Sequence, residues 1–253
     1  MPPSNRPSPA GPKAATAAPT RPVRRPAAEP PPDLAVRILY RDDDLLILNK
    51  PPGVPVHAGP RDKVSLEDRL PQLAFGRRHP PVLAHRLDRD TSGCLILAVR
   101  RAAMRRMTEL FTAKLVDKTY WAVVAGTPAA DSGTLDLPLL KRTSKHGWRM
   151  VVDPAGQPAV TDWRVLGRAD GLAWLELKPR TGRTHQIRVH CAAAGWPVYG
   201  DAAYGRAPAG ARLHLHARAV SLPFAPDRTI AAEAPLPGFM AETFEKAGWR
   251  LPG

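Results

Sequence analysis

Cysteine is nearly absent: Cys94 and Cys191 are the only two in 253 residues. They lie far apart in apolar or helical patterns, so neither a disulfide framework nor a cysteine metal cluster is expected. Both read as reduced packing residues of a cytosolic protein. No apolar run approaches the roughly 18 to 20 residues that a membrane-spanning helix needs. The first residues carry no hydrophobic segment of the export type either, so a cytoplasmic protein is expected. Metal-ligand spacing is missing too. Asp42, Asp43 and Asp44 are adjacent instead of spaced as in a calcium loop, and His185, His190, His214 and His216 do not form a zinc set. There is no internal repeat. Acidic charge is scarce, with 23 Asp and Glu against 37 Lys and Arg, a formal net charge of +14. That excess favours a polyanionic partner, nucleic acid foremost, because phosphate contacts supply most of its binding free energy.

Proline, alanine and arginine dominate residues 1–33, which cannot bury enough apolar surface to offset chain entropy and are expected to form a disordered basic tail. Five Lys or Arg there face Glu29 and Asp33, a net +3, which leaves +11 of the +14 on residues 34–253. This remainder is long enough for one folded domain. Its opening pattern predicts two strands around the acidic turn 42–44, with Lys50-Pro51-Pro52-Gly53 forcing the chain out of the sheet. Met104, Met107, Leu110 and Phe111 recur at three- and four-residue spacing, which predicts an amphipathic helix over 101–114 with a basic outer face. A strand is predicted over 118–126 from its β-branched and aromatic content. Residues 127–158 read as turns and an extended loop carrying the basic cluster 141–146. Strands are expected over 159–166, 172–177 and 213–222. Between them a basic loop feeds a helix for which Thr184 is the expected N-cap, with Gly195 and Pro197 as its stop.

The stretch His85-Arg86-Leu87-Asp88-Arg89-Asp90-Thr91-Ser92-Gly93 carries the chemistry. It puts Asp88 between two guanidinium groups that favour its carboxylate form, on a turn before the apolar run 94–99, which reads as a buried strand. A carboxylate mounted there suits a nucleophile or general base, although Asp also serves in turns for local hydrogen bonding alone.

Three segments recur together: Lys50-Pro51-Pro52-Gly53, the 85–93 stretch, and Thr181-Gly182-Arg183-Thr184-His185-Gln186-Ile187-Arg188-Val189-His190 continuing to Gly200-Asp201. With Lys118-Thr119-Tyr120 between the second and third, and His216-Ala217 in a late strand, their order resembles the RluA-type pseudouridine synthases over about residues 35–245. The resemblance implies a mixed α/β (α+β) domain: a largely antiparallel, bent sheet flanked by helices, with a basic cleft across its middle. It implies a redox-neutral isomerisation of uridine in rRNA or tRNA that needs no cofactor. Asp88 is then the carboxylate beside C1′, Tyr120 stacks on the uracil and helps remove the C5 proton, and Arg188 pairs with Asp88 and orients it. Arg86 fills the space left by the flipped nucleotide, and Arg89, Lys118, Arg183 and His185 complete an RNA-binding rim. Lys50 looks structural. Cys94 departs from a usually aliphatic position, a packing change only. Residues 1–33 cannot form the S4 RNA-binding domain that many relatives carry, so recognition is expected to rest on the cleft, its rim and the tail, in a monomer. The rival readings are a non-catalytic RNA-binding protein on the same scaffold and a base-releasing hydrolase. The hydrolase lacks a second carboxylate as general base.

Overall fold

The structure is a computed structural model, and it describes residues 33–59, 64–145 and 147–251. Apart from Asp33, the expected disordered tail lies outside the described residues, as does His146 of the basic cluster.

Strands β1 (Ile38–Arg41) and β2 (Leu45–Lys50) form the expected antiparallel hairpin. Asp42 makes the turn by accepting the backbone N–H groups of Asp44 and Leu45, each at 2.7 Å. This is the local hydrogen bonding that favours Asp in turns. After β3 (Val82–Leu83), β4 (Ser92–Ala98) is buried at every position, because its near-continuous aliphatic run is covered on both faces. Helix α1 (Arg101–Thr112) packs Ala103, Met107 and Leu110 inward, with Met104 and Phe111 at the margin of the same cluster. Strand β5 (Asp117–Ala125) follows.

The region 127–158 differs from expectation. Instead of an extended loop it holds β6 (Ser132–Asp136), β7 (Leu139–Ser144) and β8 (Gly147–Val152). These strands are mostly exposed on both faces and so lack the apolar alternation that marks a strand in sequence. Partners define them instead: β6 pairs with β9 (Val160–Ala169), and β7 pairs with β8 as a separate two-stranded ribbon. The chain continues through β10 (Leu172–Pro179), α2 (Gln186–Ala193), β11 (Leu215–Ala225), β12 (Arg228–Glu233) and α3 (Gly238–Lys246).

Ten strands of the described residues form one sheet in the order β1-β2-β4-β11-β5-β10-β9-β6, with β3 beside β4 and β12 beside β11. Among the described residues only β4 and β11 pair in parallel, so the sheet is largely antiparallel and the architecture is mixed α+β, as expected. Their pairing is confined to Ser92–His216 and Gly93–Ala217, and from Ala219 onward β12 takes the place beside β11. Gly93, at φ +106°, permits this close approach, because a Cβ there would lie 2.2 Å from the Ala217 carbonyl oxygen. Side-chain alternation along β5 sorts the helices. Ala122 and Val124 pack against Ile187 and Cys191 of α2, whereas Trp121 and Val123 pack against Met240 and Phe244 of α3 on the opposite face. Tyr120 shares the α2 face, where the cleft opens. No helix among the described residues is long and apolar enough to cross a membrane.

Candidate active site

The Asp88 turn is held from several directions. Leu87 is buried and anchors it, and the Thr91 N–H donates to the Asp88 carbonyl at 3.2 Å. Upstream, the Ile96 N–H donates to His85 Nε2 at 2.9 Å, and burial lowers the His85 pKa to about 4, so this imidazole is a neutral acceptor. Downstream, Ser92 Oγ lies 2.8 Å from His216 Nδ1, while His216 Nε2 lies 3.1 Å from the Ala234 carbonyl. The carbonyl fixes the proton on Nε2, and Ser92 donates to Nδ1. Lys50 is fully buried and donates to the carbonyls of Pro51, Val54 and Arg89 at 2.8–2.9 Å. It ties the Pro-Pro-Gly loop to the Asp88 turn, the structural role expected of it.

Opposite Asp88 stands the N-terminus of α2. Thr184 does not cap it. The N-cap is His185, in a left-handed conformation at φ 53°, with no side-chain cap hydrogen bond. The buried Gln186 does the local bonding instead: its Oε1 accepts from Thr181 Oγ1 at 2.7 Å and from the Arg183 N–H at 3.0 Å. Its Nε2 donates to the Val160 carbonyl and Thr161 Oγ1. The left-handed turn brings His185 Nε2 to 3.7 Å from Asp88 Oδ2. His185 Nδ1 lies 2.7 Å from the Tyr204 hydroxyl, which also accepts the Met150 N–H at 3.1 Å. Burial lowers the His185 pKa despite the Asp88 charge, so the ring is neutral. The phenol then donates to Nδ1 and leaves an Nε2–H facing Asp88.

One helical turn on, Arg188 Nη1 donates to Asp88 Oδ2 at 3.2 Å. Its other face is gripped by Asp201, with Nε to Oδ2 at 2.7 Å and Nη2 to Oδ1 at 2.9 Å. Asp201 is buried at the start of a turn whose N–H groups, from Ala203 and Tyr204, also bond its carboxylate. Gly200, at φ +80°, lets the chain pass there, since a Cβ would meet the Arg212 carbonyl oxygen at 1.8 Å. Burial opposes the Arg188 charge, but the Asp201 hydrogen bonds and charge, with Asp88 behind them, outweigh it and raise the guanidinium pKa. Asp201 appears in sequence only as the end of a Gly-Asp pair, and nothing local marks its partner.

These groups surround a cleft of about 300 Å³, the lower end of the range for small-ligand sites. Asp88 is the one carboxylate among the described residues lining it, alongside Arg86, Lys118, Arg183 and Arg188, with Tyr120, Phe111, Ile187 and Leu215 as its apolar wall. Burial, then the Asp88 charge, push the Tyr120 phenol well above its usual range, so it stays protonated. Burial likewise lowers the Lys118 pKa. Arg86 and Arg183 are exposed at the rim, and Arg183 Nε donates to the Pro158 carbonyl at 3.1 Å. Arg89 is not brought to the cleft; its carbonyl serves Lys50 and the Gly53 N–H. Cys94 is buried, and desolvation pushes its thiol up to about 12, an inert packing group. Among the described residues no three His, Cys, Asp or Glu side chains converge as metal ligands would.

The arrangement is a cationic cleft with one ion-paired carboxylate and an aromatic wall, and comparisons with known proteins show the family of the chain that carries it. The sequence profile of RNA pseudouridylate synthases matches residues 44–193. An RNA pseudouridine synthase of Zymomonas mobilis is 44% identical over 210 residues, covering 81% of this chain and 96% of the relative. Ribosomal large subunit pseudouridine synthase C of Haemophilus ducreyi is 39% identical over 197 residues, covering 74% of this chain and 61% of the relative. Among solved structures, human RNA pseudouridylate synthase domain containing 4 superimposes with a TM-score of 0.75 at 30% identity, covering 87% of this chain and 96% of that one. The chain therefore belongs to the RNA pseudouridylate synthase family, the RluA-type enzymes that isomerise uridine in RNA.

Proposed function

We propose that the protein converts a uridine in an unpaired loop of structured RNA, in large-subunit rRNA or a tRNA stem-loop, to pseudouridine through Asp88. The observation that carries this reading is the Asp88–Arg188 contact of 3.2 Å at the floor of a cationic cleft. The N1–C1′ bond must break, the uracil must turn, and C5 must bond C1′ with loss of the C5 proton. Atoms and electrons balance without an oxidant or reductant. Asp88 acts at the sugar, either by attack on C1′ or by taking a proton from C2′, and Arg188 holds the carboxylate in position for both routes. Tyr120, kept protonated, offers the uracil a stacking face and a hydroxyl rather than a resting-state base.

The base must leave its stack, at a cost of a few kcal/mol that is lowest in single-stranded loops. Arg86, exposed at the rim, is suited to enter the space it vacates. Lys118, Arg183 and His185 face the RNA from the cleft, while Arg89 supports the turn and reaches phosphate only from outside it. The name of the Haemophilus relative supports a large-subunit rRNA target. A monomer acting in the cytoplasm completes the proposal.

The test maps pseudouridines across rRNA and tRNA from cells lacking the gene, complemented by wild type or by Asp88→Asn. A site lost on deletion and restored only by wild type is the expected result. Equal restoration by Asp88→Asn would remove Asp88 from the chemistry, and an unchanged map with RNA binding intact would favour a binding protein.

A further inference from the structure

The ribbon β7–β8 projects beside the cleft, and residues 139–152 carry Lys141, Arg142, Lys145 and Arg149 without one acidic residue. Its base is fastened to the domain: Leu139 and Met150 pack with Val189 of α2, and the Met150 N–H bonds the Tyr204 hydroxyl. Arg142 is committed to Asp153, and Arg149 donates to the Ala203 carbonyl at 3.2 Å. Trp148 keeps one side open to solvent. It is 47% exposed, and its ring stacks on the His185 imidazole with centroids 5.3 Å apart and planes 26° from parallel. His185 Nε2 is in turn 3.7 Å from Asp88 Oδ2. The indole therefore stands one ring away from the carboxylate, at the mouth of the cleft. The Lys141 ammonium lies 4.9 Å from its ring centroid, on a flexible stem that can yield the face to a flat ligand and turn to a phosphate.

We propose that Trp148, with Lys141 beside it, is a stacking platform for an unpaired nucleotide next to the uridine held in the cleft. The inference rests on the proposed function and adds a second nucleotide site to it. When a base is extruded, its neighbour loses a stacking partner, and an exposed aromatic face at that place replaces it. The Lys141 ammonium matches a phosphate of that neighbour. A protein partner fits less well, since the rest of the ribbon tip is charged or polar.

The probe is a synthetic RNA stem-loop bearing the mapped uridine, made intact and with an abasic residue at either adjoining position. Its affinity is measured for wild type, Trp148→Ala, Trp148→Leu and Trp148→Phe, each checked for folding by circular dichroism. Loss of one base stack weakens binding on the order of ten- to a hundredfold. That loss is expected for the Ala and Leu variants, with Phe close to wild type. The abasic penalty at the stacked neighbour should largely vanish in Trp148→Ala. Wild-type affinity in Trp148→Leu, or an abasic penalty undiminished at both positions, would overturn the platform. Pseudouridine formation by wild type on the same RNA tests the active site separately: tight binding without product defeats the enzyme reading and leaves the binding comparison standing.

Discussion

Asp201 grips Arg188 by two hydrogen bonds, at 2.7 and 2.9 Å, and thereby leaves Nη1 aimed at Asp88. The guanidinium is thus positioned before any substrate arrives. Its rigid fork suits this double duty, which a lysine could not perform.

Asp201→Asn should cost activity through Arg188. The amide places a donor against a donor, so the fork loses one hold and the Asp88 contact loosens. We expect kcat to fall on the order of 10- to 100-fold, as for other groups that orient a catalytic residue. RNA affinity should change little. Single-turnover rates at saturating RNA, read well below the melting temperature, check this; a changed Kd with an unchanged rate would make Asp201 a binding residue. The variant should also melt lower, because it leaves a buried guanidinium half-compensated.

Tyr120→Phe separates the ring from its hydroxyl. The ring's packing against its neighbours survives, so stability and RNA affinity should stay near wild type. The rate should fall on the order of 100-fold if the phenol takes part in proton transfer. A wild-type rate would leave Tyr120 with stacking alone.

Lys50→Met keeps the volume but removes three hydrogen bonds to backbone carbonyls, one buried and two partly buried. Burial lowers the Lys50 pKa to about 7, yet three acceptors match the three ammonium donors. Leaving those carbonyls without donors should destabilise the protein by about 2–4 kcal/mol. Urea unfolding measures this, and a smaller change would mean that water replaces the ammonium.

Acid should weaken the fold through two histidines beside the site. Burial lowers the pKa values of His85 and His216 from 6.5 to about 4. The unfolded chain therefore binds more protons than the folded one in that window. Their contribution is fully present above pH 6.5 and is lost as pH falls toward 4, on the order of 3 kcal/mol for each. His85→Gln, whose amide oxygen can still accept the Ile96 N–H, should flatten the fall in unfolding free energy between pH 7 and 4.5. An undiminished slope would assign it to other groups.

Much of this molecule is legible in its sequence because the relevant signals are local. The aliphatic run of β4, the three- and four-residue spacing in α1 and the acidic turn between β1 and β2 each depend on residues within a few positions. The order of the short segments around Lys50, Asp88, Tyr120 and Arg188 identified the family, and the excess of basic charge pointed to a nucleic acid. Tertiary structure decided the rest. Strands β6, β7 and β8 expose both faces, so only their hydrogen-bonded partners define them. Thr184 has the chemistry of an N-cap, but Gln186 satisfies the loop and His185 takes a left-handed turn toward Asp88. Asp88 and Arg188 meet across 100 residues of chain, and Asp201 becomes their organiser only where folding buries it against the guanidinium. Local propensity sets what each segment can form, whereas a buried charge finds its partner only in the packed fold, where desolvation makes that partner obligatory.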